Sequence, residues 1–160
     1  MNSPRIDINK HLNSPLLRAM FHLSHASAAG LDKRLLTLVK IRASQINHCA
    51  YCIDMHTKEA RAAGETEQRI YALSAWRETP FFSERERAAL AWTEAVTLVN
   101  QGHVPDSVYE EARARFSEEE LVNLTLAVST INVWNRLCIS FRVVPGTYQP
   151  KAAKMEPVPA

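Results

Sequence analysis

Apolar residues recur along the chain at helical intervals, and the residues between the runs mark where each helix starts and stops. Ser14-Pro15 offers an N-cap with Pro at the first helical position, ahead of Leu16, Leu17, Met20, Phe21 and Leu23, and this run closes at Gly30. A second helix starts near Asp32, carries Leu35, Leu36, Leu38, Val39, Ile41 and Ile46, and stops at Asn47. A third runs from the Cys49-Ala50-Tyr51-Cys52 segment to Gly64, placed as a C′ glycine. Thr66 to Trp76 reads as a short helix broken by Thr79-Pro80. Ser83-Glu84-Arg85-Glu86 and Ser117-Glu118-Glu119-Glu120 are capping boxes. The first opens a helix to Val99. The second opens the longest helix, with Leu121, Leu124, Val128, Ile131, Trp134 and Leu137. Between them Pro105-Asp106 starts a helix ending near Phe116, and Pro145-Gly146 ends regular structure. Strand alternation and internal repeats are absent, so the predicted fold is all-α.

At 160 residues the chain fits one domain with a real core. The expected division is an N-terminal extension over 1–14, a helical domain over 15–145, and a poorly ordered C-terminal tail over 146–160. A net charge of +2 excludes a strongly basic arm or an acidic tail, and with them nucleic acid as the expected partner. The four glycines, Gly30, Gly64, Gly102 and Gly146, lie too far apart to build a phosphate-cradling loop. The apolar runs are shorter than a membrane span requires, and the first residues lack a signal-peptide core, so a cytoplasmic protein is expected.

Three cysteines, Cys49, Cys52 and Cys138, are too few for a disulfide-stapled scaffold. Two of them form a C-x-x-C, which serves as a redox dithiol, as half of a metal site, or as a bland buried pair. With Cys49 in the first turn of its helix, Cys52 lies one turn on and His56 one turn further, all on one face. A helix N-terminus favours thiolate over thiol, and a nearby imidazole can take the proton. One thiolate can then attack a peroxide bond to give a sulfenic acid, which the second thiol condenses to a disulfide. The spacing leaves open which cysteine attacks. Cys138, within an apolar helix, reads as a small core hydrophobe. Tyr51, Trp76, Trp92 and Trp134 read as packing residues. Arg136 reads as an ion-pair residue.

The segment Ile41-Arg42-Ala43-Ser44-Gln45-Ile46-Asn47, the C-x-x-C, Asp54-Met55-His56 and Lys58-Glu59-Ala60-Arg61 strongly resembles the alkylhydroperoxidase D core of the carboxymuconolactone decarboxylase superfamily. Ala75–Phe82, Glu84–Leu90 and Asn132–Leu137 extend the resemblance over about residues 15 to 142. It implies helical hairpins assembled as a homo-oligomer, a trimer or a hexamer. It implies a thiol-dependent hydroperoxide reductase, with Cys52 resembling the peroxidatic cysteine, Cys49 the resolving one and His56 the proton-relay histidine. The implied partners are a small-molecule hydroperoxide and a dithiol reductant of the lipoyl or thioredoxin-like kind. No cofactor is expected.

Three positions depart from the family pattern. Thr37 stands where the relay glutamate is usual, and a hydroxyl cannot serve as a general base in its place. His48 stands where many relatives have glycine, and Tyr51 where the best-studied relay has histidine. His48 is therefore a fourth candidate catalytic residue, partly replacing the missing base. The alternatives are a member weakened by Thr37, a lactone decarboxylase-like enzyme that needs no cysteine, and a zinc site built from His48, Cys49, Cys52 and His56. The segment Asn132–Leu137 is expected to line either a subunit interface or the pocket over the dithiol.

Overall fold

The computed structural model describes residues 3–150, and every regular element among them is helical. The helices are α1 (Pro15–Ala26), α2 (Lys33–Ile46), α3 (Ala50–Ala62), α4 (Glu67–Ala72), α5 (Glu84–Thr97), α6 (Val99–Gly102), α7 (Asp106–Arg113) and α8 (Glu118–Phe141). Two 3-10 segments, Ile8–His11 and Leu73–Glu78, complete the set.

The caps read from the sequence form as expected. Ser14 and Asp32 accept from the backbone N–H of Leu17 and Leu35. Both Ser83–Glu86 and Ser117–Glu120 close reciprocal capping boxes. Such caps supply partners for amide groups that a helix start would otherwise leave unpaired, worth about 1 kcal/mol each.

Helix α2 is the central post and packs on α3, α5 and α8. Its apolar residues point two ways, which explains why its hydrophobic run is nearly continuous. Leu35, Leu36 and Val39 join Trp92, Leu124 and Val128 in one core. Leu38 and Ile41 join Leu73, Trp76 and Leu90 in a second. A fully buried side chain of this type contributes roughly 1.5–3 kcal/mol, so α2 is fixed firmly in place. Its C-terminal end then fixes where α3 begins.

Several boundaries differ from expectation. α1 stops at Ala26 instead of Gly30, and a turn follows. None of its residues is buried; it leans on α8 through Phe21 against Trp134, with ring centroids 4.8 Å apart. The short elements Ile8–His11 and Val99–Gly102 lack the periodic run that would have announced them.

The ends of the domain also shift. The segment expected to be a mere extension is tied down, because Arg5 N–H donates to Phe141 O at 2.8 Å. At the other end, Gly146 N–H donates to Asp54, and Lys58 donates to the carbonyls of Gly146 and Tyr148. Residues 146–148 thus dock on α3 and do not begin a loose tail. The rest of the expected tail, 151–160, lies outside the described residues. Among the described residues no helix is long and apolar enough to cross a membrane.

Candidate active site

The site begins at the turn joining α2 to α3. Asn47 ends α2, and His48 takes the left-handed conformation with φ of 56°. His48 N–H donates to Gln45 O at 3.1 Å, and Cys49 N–H donates to Ser44 O at 3.0 Å. This pair of bonds is a Schellman ending, with His48 at the C′ position that favours glycine. The same Cys49 is the N-cap of α3, so the end of one helix sets the first thiol at the start of the next. Cys52 follows within the first turn and His56 one turn later, as the spacing predicts.

α8 closes over this turn and brings Cys138. The Sγ atoms of Cys49, Cys52 and Cys138 all lie within 4.8 Å of one another, and all three are buried. Cys138 is therefore not a bland core residue: its neighbours are the two thiols, with Tyr51 and Val143 beside them. α8 ends just beyond in a second Schellman turn, at Arg142 (φ 54°), where Val143 N–H donates to Cys138 O at 2.9 Å.

Beneath the thiols lies a buried amide network. Asn47 Nδ2 donates to Asn135 Oδ1 and Asn132 Oδ1, each at 2.9 Å, and to Ala43 O at 3.0 Å. Asn135 is fully buried, and its Nδ2 donates to Ser44 Oγ at 3.0 Å. Asn132 Nδ2 continues the chain to Thr97 Oγ1 at 3.1 Å. The Asn132–Leu137 segment thus serves the pocket, through its asparagines below and Trp134 on the cavity wall. Arg136 makes no ion pair among the described residues; its guanidinium donates to Asn132 O and Oδ1.

The three thiols titrate as one group. Cys49 is pushed down to about 3, because Cys138 and then Cys52 donate hydrogen bonds to its thiolate. The Cys138 hydrogen bond favours charge on Cys52 too. Donation to Cys49, burial and the neighbouring charge outweigh it, and Cys52 rises to about 12. Cys138 is raised as well, by donation to Cys49 and Cys52 and by burial. The cluster therefore carries one readily formed thiolate and two thiols that hold their protons.

Access is distributed differently from charge. A cavity of about 750 Å³ is lined by Cys52, His56 and Cys138 but not by Cys49. Its walls include Phe21, Trp134, Met55 and Ile6. Moving one proton from Cys52 to Cys49 across their hydrogen bond places the thiolate at the cavity.

His56 is buried, and its Nδ1 lies 2.8 Å from Glu59 Oε2. A carboxylate only accepts, so Nδ1 carries the hydrogen, and in a neutral ring Nε2 is the nitrogen with the free lone pair. Glu59 Oε1 accepts from Tyr148 O–H at 2.7 Å. These bonds, the His56 one foremost, hold the Glu59 carboxyl below its ordinary value despite burial. The carboxylate expected to be missing is thus supplied from one turn further along α3. Thr37 does not face the cavity; its hydroxyl donates to Lys33 O, and it borders a small hollow against Ala60 and Ala63. Its substitution therefore does not deprive His56 of a carboxylate partner.

His48 is a second correction. It is exposed at the turn and does not line the cavity, so the structure does not bring it to the thiols. Its place follows from backbone geometry and not from its imidazole. The four-ligand zinc set falls with it. Among the described residues, the group of three or more potential metal donors that comes together is Cys49, Cys52 and Cys138. Glu59 could have been found from the sequence, since it lies three residues after His56 on the same helix. Cys138 and Asn135 had no such local signal.

The sequence profile of the carboxymuconolactone decarboxylase family matches residues 15–95. The uncharacterized protein YdfG of Bacillus subtilis is 47% identical over 116 residues, covering 72% of this chain and 79% of its own. The chain belongs to the carboxymuconolactone decarboxylase family. Within it this is an alkylhydroperoxidase D-like member. A solved structure of ATU0492 from Agrobacterium tumefaciens, a protein of unknown function given a provisional antioxidant-defence name, AhpD, superposes with a TM-score of 0.86. It is 41% identical, and the match covers 91% of this chain and all of that one. The debrominase Bmp8, 20% identical with a TM-score of 0.73 over 86% of this chain and 74% of its own, shares the fold. So does a peroxidase-related protein from Silicibacter sp. TM1040, at 19% identity and 0.75 over 90% and 77%.

Proposed function

We propose that this alkylhydroperoxidase D-like protein is a thiol-dependent hydroperoxide reductase. The observation that carries the reading is the cavity wall that presents Cys52 and the Glu59-held His56 together, with Cys49 directly behind Cys52.

In this mechanism His56 Nε2, or Cys49 through its contact, takes the Cys52 proton, and the Cys52 thiolate attacks the outer oxygen of ROOH. The O–O bond breaks, Cys52 becomes a sulfenic acid, and the leaving alkoxide collects the proton from whichever group took it, His56 or Cys49, to depart as ROH. Cys49 then attacks the sulfenic sulfur, the S–O bond breaks, water leaves and a Cys49–Cys52 disulfide remains. An external dithiol, of the lipoyl or thioredoxin-like kind, reduces it and restores both thiols.

Glu59 keeps the imidazole in the tautomer with Nε2 free, the form that can accept a proton. General-base assistance of this kind is worth roughly 10²–10⁴-fold in rate. A cavity of about 750 Å³ with aromatic walls suits an organic hydroperoxide better than hydrogen peroxide.

The test is hydroperoxide consumption with dithiothreitol as reductant, comparing the wild type with Cys52→Ser. Turnover that is lost in the variant supports the reading. A wild type with free thiols and no turnover of either cumene hydroperoxide or hydrogen peroxide overturns it.

A further inference from the structure

We infer that Cys138 is a third redox thiol of this site, closing a disulfide with Cys52 when Cys49 is absent or already displaced. The inference takes its oxidant, a hydroperoxide, from the function proposed above. The arrangement of the three sulfurs stands independently of that oxidant.

Three observations converge. Cys138 comes from α8, 86 positions after Cys52, yet its sulfur lies within 4.8 Å of both C-x-x-C sulfurs. The cavity touches Cys138 and Cys52 but not Cys49. Cys138 is also the most accessible of the three, at 9% against 1% for each of the others. A thiol serving only as packing would lie among apolar side chains. This one contacts two sulfurs and stands on the wall where a substrate oxygen would arrive.

Two reactions follow from this placement. In the first, Cys138 resolves the sulfenic acid directly: its sulfur bonds to the Cys52 sulfur, the S–O bond breaks, and water leaves with the thiol proton. In the second, the Cys138 thiolate attacks the Cys52 sulfur of a Cys49–Cys52 disulfide. The new bond is Cys52–Cys138, and the electron pair of the broken bond leaves on Cys49. The Cys138 proton passes to a base, either His56 or water. Neither step needs a further oxidant. The second leaves the electron pair on Cys49, whose sulfur still accepts from the Cys52 backbone N–H. Its result is to carry the oxidised bond from a pair that includes the sealed Cys49 to a pair that both face the cavity. An incoming dithiol can reach that pair.

Trypsin makes the bond readable. Cys49 and Cys52 share the peptide 43–58, whereas Cys138 lies in 137–142, so a Cys138 bond joins two peptides and a Cys49–Cys52 bond joins none. The experiment treats reduced wild type, Cys49→Ser and the double variant Cys49→Ser/Cys138→Ser with one equivalent of cumene hydroperoxide, and in parallel with diamide. Samples are quenched in acid, alkylated and mapped by mass spectrometry, with circular dichroism as a check on folding.

The expected result is the joined 43–58/137–142 pair as the main product of Cys49→Ser. The double variant should instead show a dimedone-reactive sulfenic acid, with further oxidation under excess peroxide. A minor joined fraction in wild type gives the same support where peptide fragmentation assigns the bond to Cys52, since Cys49 lies in the same peptide. The inference is overturned if folded Cys49→Ser yields no joined peptides with either oxidant and accumulates sulfenic acid like the double variant. Joined peptides with diamide and intact thiols with peroxide would sustain the third thiol and remove the hydroperoxide reading instead.

Discussion

Replacing Asn135 by alanine tests whether the amide network under the thiols holds the site together. Asn135 is fully buried, accepting from Asn47 Nδ2 at 2.9 Å and donating to Ser44 Oγ at 3.0 Å. Both partners keep other bonds after the substitution. Asn47 Nδ2 has two hydrogens and retains Ala43 O and Asn132 Oδ1 as acceptors. Ser44 still donates to Lys40 O at 2.7 Å. No donor is therefore orphaned, and the loss is two ordinary hydrogen bonds, about 1 kcal/mol each. The vacated space is about that of one water, ~30 Å³, which at ~24 cal/mol per Å³ adds about 0.7 kcal/mol. The total is about 2–3 kcal/mol. With a urea slope of about 2 kcal/mol/M, the unfolding midpoint should fall by roughly 1–1.5 M with thiols kept reduced. A shift under about 0.3 M would refute the network's structural role. A shift well beyond about 2 M would mean that Asn135 also holds the helices apart from its two bonds.

Other outcomes follow from the site and the surface. His48→Gly should leave hydroperoxide turnover unchanged. It should also raise stability by about 0.5–1 kcal/mol, because it removes a left-handed penalty of ~1–2 kcal/mol at the cost of added chain entropy; a loss of turnover would restore the imidazole to the chemistry. The Glu59 carboxyl is held below its ordinary 4.5 by His56, so the stability it contributes is present above that pH and is lost as pH falls through the lowered value. In Glu59→Gln the urea midpoint should therefore decline less steeply as pH falls below about 5, and turnover should drop at least ~10-fold; identical pH profiles would contradict the pairing. Val122, Leu126 and Val133 form an exposed apolar stripe on α8, and Leu16 is similarly exposed on α1. Light scattering should therefore find a homo-oligomer, with Leu126→Glu shifting it toward monomer; a monomeric wild type would show that the stripe stays uncovered.

What could be read in advance follows the range of the interactions. Helix starts are encoded within four residues, so Ser14, Asp32, Ser83 and Ser117 announced theirs correctly. Cys49 caps the helix that carries Cys52 and His56, so spacing alone put the three within two turns of one another. His48 misleads because its exposed left-handed position is a backbone requirement, while a side chain beside a cysteine looks chemical. The family pattern points to position 37 for the carboxylate, whereas the one that pairs with His56 is Glu59, on the same helix. Cys138 and Asn135 depend on how α8 crosses the α2–α3 turn, which no local pattern records.

The sequence distance between the sulfurs has a consequence for the unfolded chain. Cys49 and Cys52 are neighbours in any conformation, and a bond between them restrains the chain the less of the two. In the chain-entropy account a loop that short removes about 2 kcal/mol of freedom from the unfolded ensemble. Cys52 and Cys138 meet only once α8 is in place, and a bond between them closes a loop of 86 positions, worth about 4–5 kcal/mol on the same account. The two bonds differ in their demands on the rest of the molecule. One can form on a nascent or damaged chain. The other is a signature of the finished fold, and forming it makes that fold harder to leave.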